Sequence, residues 1–447
     1  MALRDIWKAV PSNPFSAKST NCHMQSSLTE PTEGQRAAAF SSQCRFCQSV
    51  LSTTFVDLGM SPLCESYVPA SRLNSMEPFY PLRVLVCDKC RLVQLLEYVS
   101  PAEIFSEYAY FSSFSDSWLK HARDYAEMII RRLDLKPADQ VVEVASNDGY
   151  LLQYFVAKGF SPLGIEPAAN VAAEAKKKGV PTHVAFFGEA TARALVQEGK
   201  QAKLLLGNNV LAHVPDLNDF VKGLKLLLAP GGTVTLEFPH LQRLIEGNQF
   251  DTIYHEHFSY FSLLSVERVL RHHGLMIYDV EELASHGGSL RLFATHLDNS
   301  RAEEPRTQEL RSREIELGYD QTAIYAAFDA RVQRIKRDLL EFLIRVRRQN
   351  QTVAGYGAPG KGNTLLNYCG IRSDFIDYTV DRNPYKQGQF LPGTHIPICT
   401  PERLRETRPD YILILPWNLK KEIASQLQYV REWGCKLVVA IPELEIF

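Results

Sequence analysis

No apolar run in this chain approaches the ~18–20 residues of a membrane span; the strongest, Tyr411 to Trp417, has the length of a strand. An excess of charge is missing too: 49 Lys+Arg face 51 Asp+Glu, for a formal net charge of −2. Proteins that hold nucleic acid through its phosphates need a basic face, so no nucleic-acid partner is expected. No secretory signal is evident, and the nine cysteines, an odd number, do not suggest a disulfide framework. The strand and turn at 141–149 carry no full G-x-G-x-x-G, which counts against a nicotinamide cofactor there. The Walker pattern is absent as well, since Lys361 is followed by Gly362, which counts against nucleotide hydrolysis. These absences point to a soluble, cytoplasmic protein in a reducing compartment, with no membrane partner.

What is present is a chain of 447 residues, 45% of them hydrophobic, enough for two or three domains at ~100–200 residues each. Residues 1–40 are rich in Ser, Thr, Pro and Ala without periodicity and read as a flexible tail. Acids at Asp5, Glu30 and Glu33 count against a transit peptide, and an over-extended start is an equal reading. Residues 41–115 read as short strands and turns around two cysteine pairs. Residues 116–300 open on an amphipathic helix from Trp118 to about Leu133. Strands then alternate with helices, at Val141–Ala145, Pro162–Glu166, Thr182–Phe187, Lys203–Asn208 and Thr233–Phe238, as in a parallel α/β sheet. Two further strands, Leu275–Glu282 and Ser289–His296, are separated by too few residues for a crossover helix, so an antiparallel hairpin is expected. Five parallel strands finished by a hairpin resemble the layout of class I methyltransferases. Residues 301–447 begin with a long helix, about Arg311 to Arg348. Strands at Thr352–Tyr356, Phe375–Val380, Tyr411–Leu415 and Lys436–Ile441 follow, with helices near Gly362–Tyr368 and Leu419–Trp433, giving a small Rossmann-like unit.

Four motifs carry chemistry. Cys44, Cys47, Cys87 and Cys90 form two C-x-x-C pairs separated by 39 residues and supply four thiolates for a closed, structural Zn2+ site; Cys64, between them, is an alternative ligand. Val141-Val-Glu-Val-Ala-Ser-Asn-Asp-Gly149 is a strand, an acid and a glycine turn at the place where α/β folds bind cofactors. Glu143, Ser146, Asn147 and Gly149 are its candidate residues, and Glu166, at the end of the next strand, suits a ribose. Asn208 and Asn209 end the fourth strand on the same rim. Asp251-Thr-Ile-Tyr-His-Glu-His-Phe-Ser259 holds Tyr254, Glu256 and His257 and reads as a proton-transfer site, a His255/His257 metal site or a structural loop. Gly355-Tyr-Gly-Ala-Pro-Gly-Lys-Gly362, with Tyr356 and Lys361, follows a strand and opens a helix, as a diphosphate turn would; Asp381, Arg382 and Asn383 end the next strand and suit a ribose and base. His213 sits beside the cofactor rim. Ser285-His-Gly-Gly-Ser-Leu-Arg291, with Gly287, Gly288, Ser289 and Arg291, is either a substrate loop or turn chemistry.

In this order the motifs, with Glu107-Tyr-Ala-Tyr-Phe-Ser-Ser113 and Asn208-Asn-Val-Leu-Ala-His-Val-Pro215, resemble the nucleotide-sugar C-methyltransferases that make branched-chain deoxysugars. The resemblance covers about residues 44–445. It implies a zinc domain, a central S-adenosylmethionine domain and a carboxy-terminal Rossmann-like domain that holds the nucleotide. The implied substrate is a thymidine-diphosphate (TDP) 4-keto-6-deoxy sugar, commonly methylated at C3. His257 is then the general base, with Tyr108 and Tyr254 beside the sugar and Glu256 and His213 completing the site. A monomer is expected. The alternatives are an O- or N-methyltransferase on another small or nucleotide-linked substrate, and a non-catalytic zinc-dependent binding protein.

Overall fold

Short hydrophobic alternations around the cysteine pairs give β1 (Thr53–Ser61), β2 (Val68–Pro69), β3 (Tyr80–Val86) and β4 (Val93–Leu95). The structure is a computed structural model that describes residues 42–99, 112–114 and 116–447; the proposed tail and Tyr108 lie outside them. The amphipathic pattern after Trp118 forms α1 (Asp116–Leu133), which buries Ala122, Ala126 and Ile129. Alternation then runs through β5 (Val141–Val144), α2 (Leu152–Val156), β6 (Leu163–Ile165), α3 (Ala169–Lys177) and β7 (Thr182–His183). It continues through α4 (Glu189–Gln197), β8 (Ala202–Asn208), α5 (Leu217–Leu227) and β9 (Leu228–Pro239). After α6 (Leu241–Glu246) and the two-residue β10 (Ser259–Tyr260) come α7 (Leu263–His272), β11 (Leu275–Leu283) and β12 (Ser289–His296).

The central sheet has the order β11-β12-β9-β8-β5-β6-β7. Strands β5 to β9 are parallel, while β12 runs antiparallel to both β9 and β11. This is the class I methyltransferase sheet. The strands cross from one half of the sheet to the other beside β5, so the carboxyl ends of β5 and β8 face a common crevice. Helix α5 starts where Asp216 accepts a bond from the Asp219 amide, and α7 where Ser262 and Ser265 cap each other. Both are the side-chain substitutes that free first-turn amides require.

The last third holds α8 (Pro305–Glu316), α9 (Ala323–Ala326), α10 (Phe328–Arg348), β13 (Val353–Tyr356) and α11 (Gly360–Cys369). Then follow β14 (Thr379–Val380), β15 (Gln389–Phe390), β16 (Ile398–Cys399), α12 (Arg403–Thr407), β17 (Tyr411–Ile414), α13 (Lys420–Gln426), β18 (Lys436–Val439) and β19 (Glu445–Ile446). Their sheet has the order β16-β14-β13-β17-β18-β19.

Several elements differ from the sequence reading. The helix expected over 311–348 is three helices, because Gly318 takes a left-handed turn (φ +84°) after α8. The strand expected over Phe375–Val380 shrinks to β14, since the amides of Phe375 and Ile376 both bond Arg372 O in a turn. Strand β7, at the sheet edge with one neighbour, is two residues long rather than reaching Phe187. The helix expected over 419–433 divides into α13 and a 3-10 segment, Gln428–Trp433.

The cysteine-bearing sheet is not self-contained. Its order is β1-β3-β4-β10, so two residues from the central segment complete it. One core runs from Phe55, Val84 and Val93 through Phe328 and Leu339 of α10 to Leu365 and Leu413. Phe55 and Phe328 stack at 4.6 Å, and β2 pairs with β15. Among the described residues no helix is long and apolar enough to cross a membrane.

Candidate active site and zinc site

The four sulfurs of Cys44, Cys47, Cys87 and Cys90 lie within 4.8 Å of one another, with Cys44–Cys90 and Cys47–Cys87 at 3.5 Å each. Four thiolates at ~2.3 Å from a tetrahedral zinc stand ~3.8 Å apart, so the set fits zinc and leaves no coordination position open. Each pair is followed by a residue in left-handed conformation, Gln48 (φ 61°) and Arg91 (φ 63°), whose amides bond Cys44 O and Cys87 O and so close each knuckle. The Gln94 amide donates to Cys44 Sγ at 3.2 Å, steadying a thiolate from outside the set. Cys64 is not part of the cluster; its sulfur lies 3.9 Å from Glu256 Oε1 instead.

The turn after β5 alternates left-handed residues: Ala145 (φ 55°), Asn147 (φ 49°) and Gly149 (φ 75°). Two are not glycine, and such conformations cost on the order of 1–3 kcal/mol each unless neighbours hold them. Here they are held. Asn147 N donates to Glu166 Oε2 at 3.0 Å, and Ser112 N donates to Asn147 Oδ1 at 2.9 Å. Gly149 N bonds Ser146 O at 3.1 Å. At Gly149 a side chain would meet Val180 at 3.0 Å, so glycine suits both the tight space and the angle. Glu166 also accepts the Ala168 amide at 2.9 Å. Burial pushes its carboxyl up, and burial with Glu166 beside it pushes Glu143 well above the usual range. Asn208 ends β8 and Asn209 (φ 55°) follows it, and among the described residues the Asn208 amide atoms and Asn209 Oδ1 are buried without a partner. The rim thus gathers Glu143, Ser146, Asn147, Gly149, Glu166, Asn208 and Asn209 around one crevice. A ligand with ribose hydroxyls and a cationic group suits it, and S-adenosylmethionine has both.

Beside this rim, Phe258 N donates to Ala212 O at 2.7 Å, pulling the 254–258 segment against the loop that carries His213. The His213 and His257 rings meet edge to face at 4.7 Å, and Tyr254 lies 4.0 Å from His257. Thr252 O is 2.8 Å from His257 Nδ1. A carbonyl can only accept, so Nδ1 carries the proton and neutral His257 has its lone pair on Nε2. Burial, then His213, pushes His257 well below its ordinary value; burial pushes His213 down to about 4. His255 is turned away, with Nε2 at 3.2 Å from Pro81 O and its ring against Tyr80. That geometry removes the His255/His257 metal pairing.

Sequence reasoning named Lys361 as a site residue but not Asp251, Trp417, His121 or Glu237, nor which of these meet. Asp251 is fully buried and raised to about 6 by burial, with Lys361 opposing; its Oδ2 accepts Trp417 Nε1 at 2.7 Å. Lys361 bonds Asn418 Oδ1 at 2.9 Å, lies 5.0 Å from the Trp417 ring, and acts electrostatically on His257. His121, on α1, meets Glu237 at 2.9 Å and stacks on Trp118, which packs on His286. No local pattern announces these pairs, which join segments far apart in the chain.

The side chains of the 285–291 loop are engaged within the protein. The Arg291 guanidinium donates to Glu237 at 2.7 Å and Glu281 at 3.0 Å. Gly287 and Gly288 leave space filled by Trp417 and Arg243, and Ser289 Oγ donates to Ser285 O at 3.0 Å. Burial drives the Glu237 carboxyl upward, but His121 and Arg291 outweigh it and hold it at about 2. Stability from this depressed acid is present above the unfolded value of ~4.3 and is lost as pH falls through about 2. Arg291→Leu leaves that buried carboxylate with His121 but without its guanidinium partner, so a loss of roughly 3–5 kcal/mol is expected in urea denaturation. A loss below about 1 kcal/mol contradicts the ion-pair reading.

In the carboxy-terminal sheet, Tyr356 donates to Gln426 Oε1 at 3.1 Å. Asp381 accepts the amides of Ala358 (2.7 Å) and Asn383 (2.8 Å), and Arg382 is exposed. The glycines of the 355–362 turn answer to packing: a side chain at Gly357, Gly360 or Gly362 would strike Pro416, Cys64 or Leu415. The Ala358 amide is already taken by an acid. What remains for an anion is the start of α11 with Lys361.

Three family models match in sequence order: "Putative zinc binding domain" over residues 44–105, "Methyltransferase domain" over 118–280 and "C-methyltransferase C-terminal domain" over 284–442. The C-methyltransferase NovU of Streptomyces niveus is 36% identical over 401 residues, covering 90% of this chain and 96% of that protein. Solved structures match in part. The PH0226 protein of Pyrococcus horikoshii OT3 is 15% identical over 44% of this chain and 97% of its own, with a TM-score of 0.35. The magnesium protoporphyrin IX methyltransferase of Synechocystis PCC 6803 with bound SAH is 15% identical over 40% and 84%, with a TM-score of 0.32. With a thiolate cluster, a class I sheet and this relative along nine-tenths of its length, the chain belongs to the S-adenosylmethionine-dependent C-methyltransferase family.

Proposed function

We propose that the chain methylates C3 of a TDP-4-keto-6-deoxy sugar, with His257 as the general base. The observation that carries this reading is the His257 Nδ1 bond to Thr252 O, which presents a neutral, buried Nε2 lone pair beside the cofactor rim. Carbon attacks a methyl donor only after a proton next to a carbonyl is removed. In this reading Nε2 takes the C3 proton and the C–H electron pair becomes an enolate. Hydrogen-bond donors such as Tyr254 or His213 meet the charge that develops on the 4-oxygen. S-adenosylmethionine, when bound, supplies an electrophilic methyl group and leaves as S-adenosylhomocysteine. Tyr108 is assigned beside the sugar by resemblance, and Glu256 completes this wall. His257 then returns its proton to solvent.

Lys361, at the start of α11, is assigned to the sugar diphosphate, and Tyr356, Asp381, Arg382 and Asn383 to the nucleoside. A charge-assisted contact is worth ~1.5–3 kcal/mol, so Lys361→Ala weakens nucleotide-sugar binding about 10–100-fold by titration calorimetry. S-adenosylhomocysteine affinity stays unchanged. Wild-type sugar affinity in that variant removes the diphosphate role. The function is tested by carbon NMR of the product made with a methyl-13C donor: the label belongs on C3, and a label on oxygen or nitrogen overturns C-methylation of this sugar.

A further inference from the structure

The carboxy-terminal unit does more at this site than offer a nucleotide surface. Trp417, in a 3-10 turn after β17, reaches 166 residues back along the chain to donate its indole N–H to Asp251 Oδ2 at 2.7 Å. Asp251 is fully buried within the 3-10 turn Phe250–Thr252. The next residue, Thr252, supplies the carbonyl that accepts His257 Nδ1 at 2.8 Å. Thr364 of α11 donates to Ile253 O at 3.0 Å, on the other side of that carbonyl. Two bonds from the carboxy-terminal unit therefore bracket the one peptide that sets the tautomer and aim of His257. The Trp417 ring is itself wedged against the hairpin turn, where a side chain at Gly287 would lie 2.6 Å from it.

We infer that Trp417 and Asp251 are positioning residues for His257: their bond locks the Thr252 carbonyl, and the carbonyl keeps Nε2 free to take the substrate proton. The inference rests on His257 being the base. A buried carboxylate is costly unless it is hydrogen-bonded, so Asp251 is held to the indole donor that Trp417 supplies. That bond stiffens a short turn that Thr252 Oγ1 also braces, through Gln249 O at 2.7 Å.

The test compares variants by solvent-deuterium exchange into the keto sugar, kcat and KM, and by the nitrogen NMR signature of the His257 tautomer. Trp417→Phe keeps the ring and deletes the donor. Misplacing a catalytic group by about 1 Å costs on the order of 10²-fold, so kcat and exchange should fall together about 10–100-fold, with KM moving less than about threefold. Asp251→Asn retains an oxygen acceptor and should stay within about threefold of wild type. Asp251→Ala should match Trp417→Phe, and the double variant should add little to either, as for two ends of one bond. The His257 Nδ1–H signal should become heterogeneous in Trp417→Phe, a readout that simple destabilisation does not produce in folded protein. Wild-type kcat and exchange in Trp417→Phe overturn the inference, as does a loss confined to KM. His257→Ala, run beside these, separates the claims. If His257→Ala abolishes exchange and Trp417→Phe does not, positioning alone fails; if His257→Ala exchanges normally, both fail.

Discussion

His257→Ala should bind S-adenosylhomocysteine as the wild type does and methylate at least ~100-fold more slowly, the scale on which a positioned general base acts. The residue is buried, its Nδ1 proton is committed to Thr252 O, and burial and His213 hold its protonated form well out of the neutral range. It is therefore already a free base at neutral pH. The sign follows: a histidine with a lowered value loses activity only when pH falls through that lowered value. A kcat/KM profile that stays flat from pH 8 down to about 6.5 is expected, without the inflection of an ordinary imidazole near ~6.5. Alanine removes the base but touches no cofactor-rim residue, so calorimetric affinity for the cofactor product separates chemistry from misfolding. Near-wild-type turnover in the variant, or an inflection near 6.5 that vanishes with it, contradicts the assignment.

Removal of zinc, by chelation or by Cys87→Ser, is the second large effect. Structural zinc sites in small domains are worth ~10–16 kcal/mol of apparent binding free energy, comparable with the ~5–15 kcal/mol that holds a whole domain folded. The loss is not confined to the cysteine sheet. Strand β4 pairs with β10, and Leu95 N donates to Phe258 O at 3.0 Å, so the zinc sheet holds the segment that begins one residue after His257. Metal-free protein should show a melting transition lowered or broadened and should lose exchange and methylation together. Folded, zinc-free protein with full activity, shown by metal analysis on the same sample, rules out this coupling.

The parts legible in the sequence are the local ones. Two C-x-x-C pairs need no context to propose a metal site, and the short gap before Ser289 forced a hairpin that the β11–β12 register shows. The alternation of strands and helices was enough for the class I sheet. What escaped depends on distant partners. Strand β10 is two residues long and exists because β4 lies beside it; no propensity marks it. Ala145 is not a residue from which left-handed geometry is read, and Asn147, which tolerates it, is held there by Glu166 and the Ser112 amide. The Glu237 partner of Arg291 lies on the neighbouring strand, 54 residues back, and nothing local marks it. The glycines of 355–362 resemble a phosphate turn, yet Pro416, Cys64 and Leu415 fill the space they leave. Asp251 stood in plain view within the histidine segment, but its partner Trp417 follows a strand of another sheet.

The central claim, abstraction of a carbon-bound proton before methyl transfer, is tested most directly by mass spectrometry of a TDP-4-keto-6-deoxyhexose incubated with zinc-loaded protein in deuterated water. One sample contains S-adenosylmethionine and one does not. The account predicts protein-dependent deuterium uptake at carbon in the sample without donor, and a methyl-sized mass gain where donor is present. Methyl gain with no deuterium uptake by the remaining substrate, and with an exchangeable proton lost from oxygen or nitrogen instead, contradicts it.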